Sequence, residues 1–264
     1  MTQETAAVVL LPGIGGDGAR DFGFLGPMLS RHRRVLTLDY PTTATNLAGL
    51  AEFARAAIAR AFPGEEVQLV GHSLGAAVAL ELAAITPTRA VVLIAGVYGG
   101  SPRTHLFAAT WQRLAGLAEL PKLPELPDSA ELPESAGTSA REDFARFAAL
   151  SGAFVEFEPA RTLPWGGGPA TDAHVELLAS TTVADSAAQL TVPTLIIGAG
   201  DDAIVGAEQS RALFGAIDDA RLVVIDSGHA ALVERGAEVL SFVDPFLDNP
   251  GEHPAGTILP TARV

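Results

Sequence analysis

Apolar positions along the chain gather into six short runs rich in Val, Leu and Ile: 6–11 (AAVVLL), 35–38 (VLTL), 67–70 (VQLV), 90–95 (AVVLIA), 194–199 (TLIIGA) and 221–225 (RLVVI). Runs this short, apolar on both faces and bounded by Gly, Pro or Asp, predict strands buried in a parallel sheet. Between them the apolar spacing changes to three and four, which predicts helices over 45–62, 74–86, 207–214 and 231–247, the first with Thr45 as its N-cap. Strands alternating with helices give an α/β fold with a doubly wound, mostly parallel sheet.

The alternation stops after residue 96 and resumes near 190. A core of 1–96 and 190–247 is therefore expected, with 97–189 inserted as a helical cap. Amphipathic pieces lie near 106–120, 141–150 and 172–180 within it. Pro121, Pro124 and Pro127 recur with the polyproline period inside an acidic stretch, which reads as a solvated linker. The tail, 248–264, carries Pro and Gly at short intervals and is expected to be irregular.

Charge and composition narrow the classes of partner. With 17 Lys and Arg against 31 Asp and Glu, the net charge of −14 disfavours nucleic acid and anionic membrane as partners. There is no cysteine, so disulfides, thiol nucleophiles and thiolate metal sites are excluded. The start, MTQETAAVVLLPG, lacks a basic segment and its apolar run ends at Pro12, so no export signal or membrane span is expected and the cytoplasm is the expected location.

Two readings compete for the glycine-rich loop in VVLLPGIGGDGARD, residues 8–21. Gly13, Gly15 and Gly18 follow a strand in the G-x-G-x-x-G pattern, and Asp39 stands where a ribose-binding acid would be. A pyrophosphate, however, needs an uninterrupted helix at the loop, whereas Gly23, Gly26 and Pro27 break this one and Asp17 adds a negative charge. The second reading begins at VQLVGHSLGAAVALELAA, which holds G-x-S-x-G at Gly71, Ser73 and Gly75 between a strand and a helix. That context lets a serine sit on a strained turn above the sheet, where a side chain at 71 or 75 would collide.

From the first strand to this turn, and again from about 190 to 247, the sequence resembles the α/β-hydrolase superfamily. The resemblance implies a Ser-acid-His order: Ser73 as nucleophile, His229 in VVIDSGHAALVE as base, and an acid in IIGAGDDAIVG. Asp202 matches the family's D-x-[IV]-V segment, with Asp201 as the alternative. It also implies that the glycine-rich loop holds the oxyanion of a reaction intermediate, through the N–H groups of Ile14 and Leu74. Many relatives read His-Gly where this chain reads Pro12-Gly13, so a side chain that often braces the loop is missing.

The implied activity is a serine hydrolase that cleaves an ester or thioester of an apolar small molecule through an acyl-enzyme, with no cofactor or metal. One alternative is a type II thioesterase acting on carrier-bound acyl chains; an acidic chain disfavours an acidic carrier, and the only dense basic cluster, RHRR at 31–34, precedes a strand and so lies away from the site. Another is a non-hydrolytic protein of the same fold: a lyase, a cofactor-free cyclisation catalyst or a ligand receptor. Phe107, Trp111, Leu114, Phe144, Phe147 and Leu150 recur at helical spacing in the cap, with Phe154, Phe157 and Trp165 between. Of these, Phe107, Trp111, Phe144, Phe147 and Trp165 are the candidate lining of an apolar substrate pocket.

Overall fold

The computed structural model describes residues 6–41, 43–117 and 169–261. Seven strands form one sheet: β1 (Ala7–Leu11), β2 (Val35–Thr37), β3 (Val67–His72), β4 (Thr88–Ile94), β5 (Thr194–Ala199), β6 (Ala220–Ile225) and β7 (Thr257–Ile258). Their order is β2-β1-β3-β4-β5-β6-β7 and every neighbouring pair is parallel. The expected α/β class and doubly wound sheet are what the structure has.

Alternation along the strands divides the interior in two. Val9 and Leu11 of β1 face one core, covered by α3 (Leu47–Ala61), α4 (Leu74–Ala83) and α8 (Ala207–Ala216). Val8 and Leu10 face the other, covered by α2 (Leu25–Leu29) and α10 (Gly236–Asp248). Each fully buried Val or Leu contributes about 1.5–3 kcal/mol relative to exposure. Burial on both faces is why the strands read as continuous apolar runs.

The topology also places a crevice. β1 has β2 on one side and β3 on the other, so the chain reverses its direction of winding there. The loop after β1 and the turn after β3 emerge side by side at the C-terminal edge, where open α/β sheets bind ligands.

Several local expectations are corrected. The N-cap of α3 is Asn46, whose side chain accepts from the Gly49 N–H at 2.8 Å, in place of Thr45; both residue types cap, and pattern alone does not resolve a one-residue shift. Residues 18–29, expected to be a broken helix, hold one-turn α1 (Gly18–Asp21) and α2. The helix expected over 231–247 is split at Arg235 into α9 (Ala231–Glu234) and α10. In the tail, expected to be irregular, β7 pairs with β6 and Arg221 Nε donates to the His253 carbonyl at 2.7 Å. A two-residue strand between Gly and Pro is too short to leave a periodic signal.

Within residues 97–189, expected to form a cap, α5 (Pro102–Leu117), α6 (Pro169–Ser180) and α7 (Ala184–Gln189) are described, and α5 packs on α6. The piece expected over 141–150, the proline stretch and Phe144, Phe147, Phe154, Phe157 and Trp165 lie outside the described residues. Among the described residues no helix is long and apolar enough to cross a membrane.

Candidate active site

Ser73 links β3 to α4 with φ +55° and ψ −117°. An L-residue there carries on the order of 1–3 kcal/mol of backbone strain, which persists only where the surroundings impose it. Here the Ser73 N–H donates to the Ile94 carbonyl at 2.9 Å and its carbonyl accepts from Ala76 N–H at 3.1 Å. The flanking glycines are required by space: a Cβ at Gly71 would run into the Gly75 carbonyl, and one at Gly75 into the Leu11 carbonyl of β1. The first collision is across the turn, as expected; the second is with the neighbouring strand.

His229 lies between β6 and α9, on a loop braced from below. Glu234 accepts the Gly228 N–H at 2.6 Å and the Ser227 hydroxyl at 3.1 Å. His229 Nε2 is 2.8 Å from Ser73 Oγ, and its Nδ1 is 2.8 Å from Asp202 Oδ2. A carboxylate only accepts, so Nδ1 carries the proton and the Nε2 lone pair faces the serine hydroxyl.

Asp202, between β5 and α8, also accepts the Ile204 and Val205 N–H groups on Oδ1, at 2.9 and 2.8 Å. Burial pushes its carboxyl up, but the facing His229 imidazole and those two N–H groups outweigh it and hold Asp202 below the usual carboxylate range. Asp201 is exposed; its N–H donates to the Ser227 carbonyl at 3.0 Å, tying the two loops together. The structure thus joins Ser73, His229 and Asp202 in one hydrogen-bonded line and leaves Asp201 outside it. The other histidines are engaged elsewhere: His32 with Asp244, His105 with the Ser101 carbonyl, His174 with the Ala44 carbonyl, while the His253 carbonyl holds Arg221.

The glycine-rich loop lies against the turn. A Cβ added at Gly13 would stand 3.1 Å from Ser73 Cβ, a tight contact that glycine avoids. Ile14, which follows Gly13, and Leu74, which follows Ser73, are both buried. Asp39, weighed as a ribose ligand, instead accepts the Gly18 N–H at 2.8 Å, and α1 is a single turn. The dinucleotide pattern is therefore a loop closed on itself.

Two residues here, Arg20 and Asp21, carry no signal in the sequence. Asp21 Oδ2 accepts the Gly13 N–H at 2.7 Å, and Arg20 Nη2 donates both to Asp21 Oδ1 at 2.8 Å and to the Ile14 carbonyl at 2.9 Å. His72, next to the serine in the chain, donates from Nε2 to the His229 carbonyl at 3.1 Å. In sequence, Arg20 and Asp21 look like any solvated pair on a short helix, and no local signal separates them.

Phe107 and Trp111 of α5 are buried, with ring centroids 6.4 Å apart, in the same core that holds Ile14. Trp111 Nε1 donates to Asp172 Oδ1 of α6 at 2.7 Å. No group of three or more His, Asp or Glu residues that could hold a metal ion occurs among the described residues.

A family model described as alpha/beta hydrolase family matches residues 8–242. The chain is 29% identical over 249 residues to a pyrrolizixenacetamide deacetylase of Xenorhabdus hominickii, covering 91% of this chain and 90% of that protein. It is 28% identical over 240 residues to a protein named as the carbamate hydrolase RutD of Variovorax paradoxus strain S110, covering 88% and 87%. Among solved structures, the esterase RhEst1 of a Rhodococcus species superposes with a TM-score of 0.68 at 15% identity, covering 93% of this chain and 91% of that one.

Proposed function

From the premise that the chain belongs to the alpha/beta hydrolase family, we propose that it is a serine hydrolase that cleaves an ester-like bond of an apolar small molecule through an acyl-enzyme. The Ser73 Oγ–H proton passes to His229 Nε2 as Oγ bonds to the carbonyl carbon, and the carbonyl oxygen becomes an oxyanion facing the Ile14 and Leu74 N–H groups. When the intermediate collapses, the bond to the leaving group breaks and His229 returns the proton to it. Water then attacks the acyl-enzyme with His229 again as base, and the carboxylic acid departs. Asp202 keeps its charge throughout, holding the Nδ1–H tautomer and stabilising the imidazolium.

The observation that carries this reading is the line Asp202–His229–Ser73, 2.8 Å at each link, ending on a serine with positive φ. Its test is Ser73→Ala, which is expected to abolish both labelling by a fluorophosphonate probe and turnover of p-nitrophenyl esters while leaving the circular-dichroism spectrum unchanged. Labelling without turnover in the parent protein would favour a receptor or a non-hydrolytic catalyst instead.

The names of the two relatives, a deacetylase and a carbamate hydrolase, widen the substrate panel to an aryl amide and an aryl carbamate. A carrier-bound thioester is less well supported. Most of the basic cluster at 31–34 that would meet an acidic carrier is already paired with carboxylates of this chain: Arg33 with Asp244 and Asp248, His32 with Asp244, and Arg34 with Glu65. Phe107 and Trp111 support an apolar group as the occupant beneath the insert.

A further inference from the structure

The family's bracing histidine before the glycine is Pro12 here, yet the loop is held. The peptide that carries the Ile14 N–H is fastened at both flanks. On one side, the Gly13 N–H donates to Asp21 Oδ2 at 2.7 Å; on the other, the Ile14 carbonyl accepts from Arg20 Nη2 at 2.9 Å. Both fasteners belong to one ion pair, since Arg20 Nε and Nη2 donate to Asp21 Oδ1 at 2.9 and 2.8 Å. The carboxylate is 6% exposed. Burial opposes its charge, but His72, Arg20 and the Gly13 N–H hold its pKa below the usual range.

The same carboxylate reaches the other half of the site. His72 Nδ1 lies 3.5 Å from Asp21 Oδ2, too far for a full hydrogen bond, while His72 Nε2 holds the His229 carbonyl. One ion pair on α1 therefore contacts the loop facing the oxyanion directly and the loop bearing His229 through His72.

We propose that Arg20 and Asp21 are positioning residues that aim the Ile14 N–H at the oxyanion, the Gly13–Ile14 segment being clamped between the carboxylate and the guanidinium. This rests on the serine-hydrolase reading above. An oxyanion donor matters in the transition state more than in the ground state, so loosening it lowers kcat and leaves KM in place.

The test compares the parent protein with Asp21→Ala, Asp21→Asn, Arg20→Ala and Ser73→Ala. Each is assayed on p-nitrophenyl butyrate and titrated with a trifluoromethyl ketone, which forms the tetrahedral adduct, with thermal unfolding recorded alongside. Asp21→Ala is expected to lose about a hundredfold in kcat, since removal of one donor costs 10²–10³. Its KM should stay within about threefold, and its affinity for the ketone should fall in step with kcat. Asp21→Asn still offers an oxygen to Gly13 but no charge to Arg20, and should recover about tenfold of that loss. Arg20→Ala, whose side chain is 25% exposed, keeps the question answerable if Asp21→Ala fails to fold, and should show the same split of kcat from KM. A folded Asp21→Ala or Arg20→Ala with parental kcat and ketone affinity, destabilised or not, overturns the clamp and leaves Ser73 untouched. Turnover by Ser73→Ala would instead overturn the hydrolase reading itself.

Discussion

Asp202 Oδ2 faces His229 Nδ1 at 2.8 Å with both side chains no more than 3% exposed. On the serine-hydrolase reading, a contact so buried orients the imidazole with little help from solvent. Asp202→Asn should therefore reduce kcat on an aryl ester by about a thousandfold or more, because the amide favours the wrong imidazole tautomer. Asp201→Asn alters an exposed side chain and should cost less than about threefold. Steady-state kinetics on the two variants checks both, and a reversal of their order would move the acid to Asp201.

The strain at Ser73 gives a second expectation. Ser73→Gly should abolish turnover yet raise stability by about 1 kcal/mol, because glycine adopts φ +55° freely while giving back part of the gain as chain entropy. Ser73→Ala keeps the strained φ and should not gain. Urea unfolding of the two variants beside the parent distinguishes them.

Asp21 and Asp202 both have folded pKa values below their ordinary value of 3.8. As pH falls below about 4 the unfolded chain takes up these protons first, so their contribution is full above that pH and is lost as pH drops through the lowered folded values. Unfolding midpoints measured from pH 6 to pH 3 should fall in the acid part of the range. Asp21→Asn and Asp202→Asn should each flatten that fall.

If the buried Phe107 and Trp111 line the substrate site as proposed, chain length should matter. Across p-nitrophenyl esters from acetate to octanoate, kcat/KM should rise by up to about tenfold for every two methylenes buried, at ~0.8 kcal/mol each. A flat series, or a preference for charged acyl groups, would leave these rings as packing.

What the sequence discloses depends on whether a feature is local. The strands and the G-x-S-x-G turn each have a pattern within a dozen residues and could be read, whereas His229 is reached through the chain order that the family resemblance implies. Asp202 and Asp201 are adjacent and chemically equal, so only the facing of Asp202 by His229 and by the Ile204 and Val205 N–H groups separates them in the structure. The Arg20–Asp21 clamp lies close in sequence but joins side chains to backbone groups, which no residue pattern records, and the hold of His72 on the His229 carbonyl spans 157 positions. The short β7 failed for another reason: its pairing with Arg221 and Leu222 is set by β6 and owes little to its own two residues.

Ser73 and His229 are separated by 156 positions, and His229 and Asp202 by 27. The turn at Ser73 rests on β3, α4 and β4, which are consecutive, whereas its partner arrives only after β5 and β6 have joined the far side of the sheet. Pairings over such separations form late, because the loop they close is long. During refolding, helical signal should therefore return before ester turnover does. A chain emerging from the ribosome therefore carries Ser73 long before it carries His229, and on the serine-hydrolase reading the two can act only together.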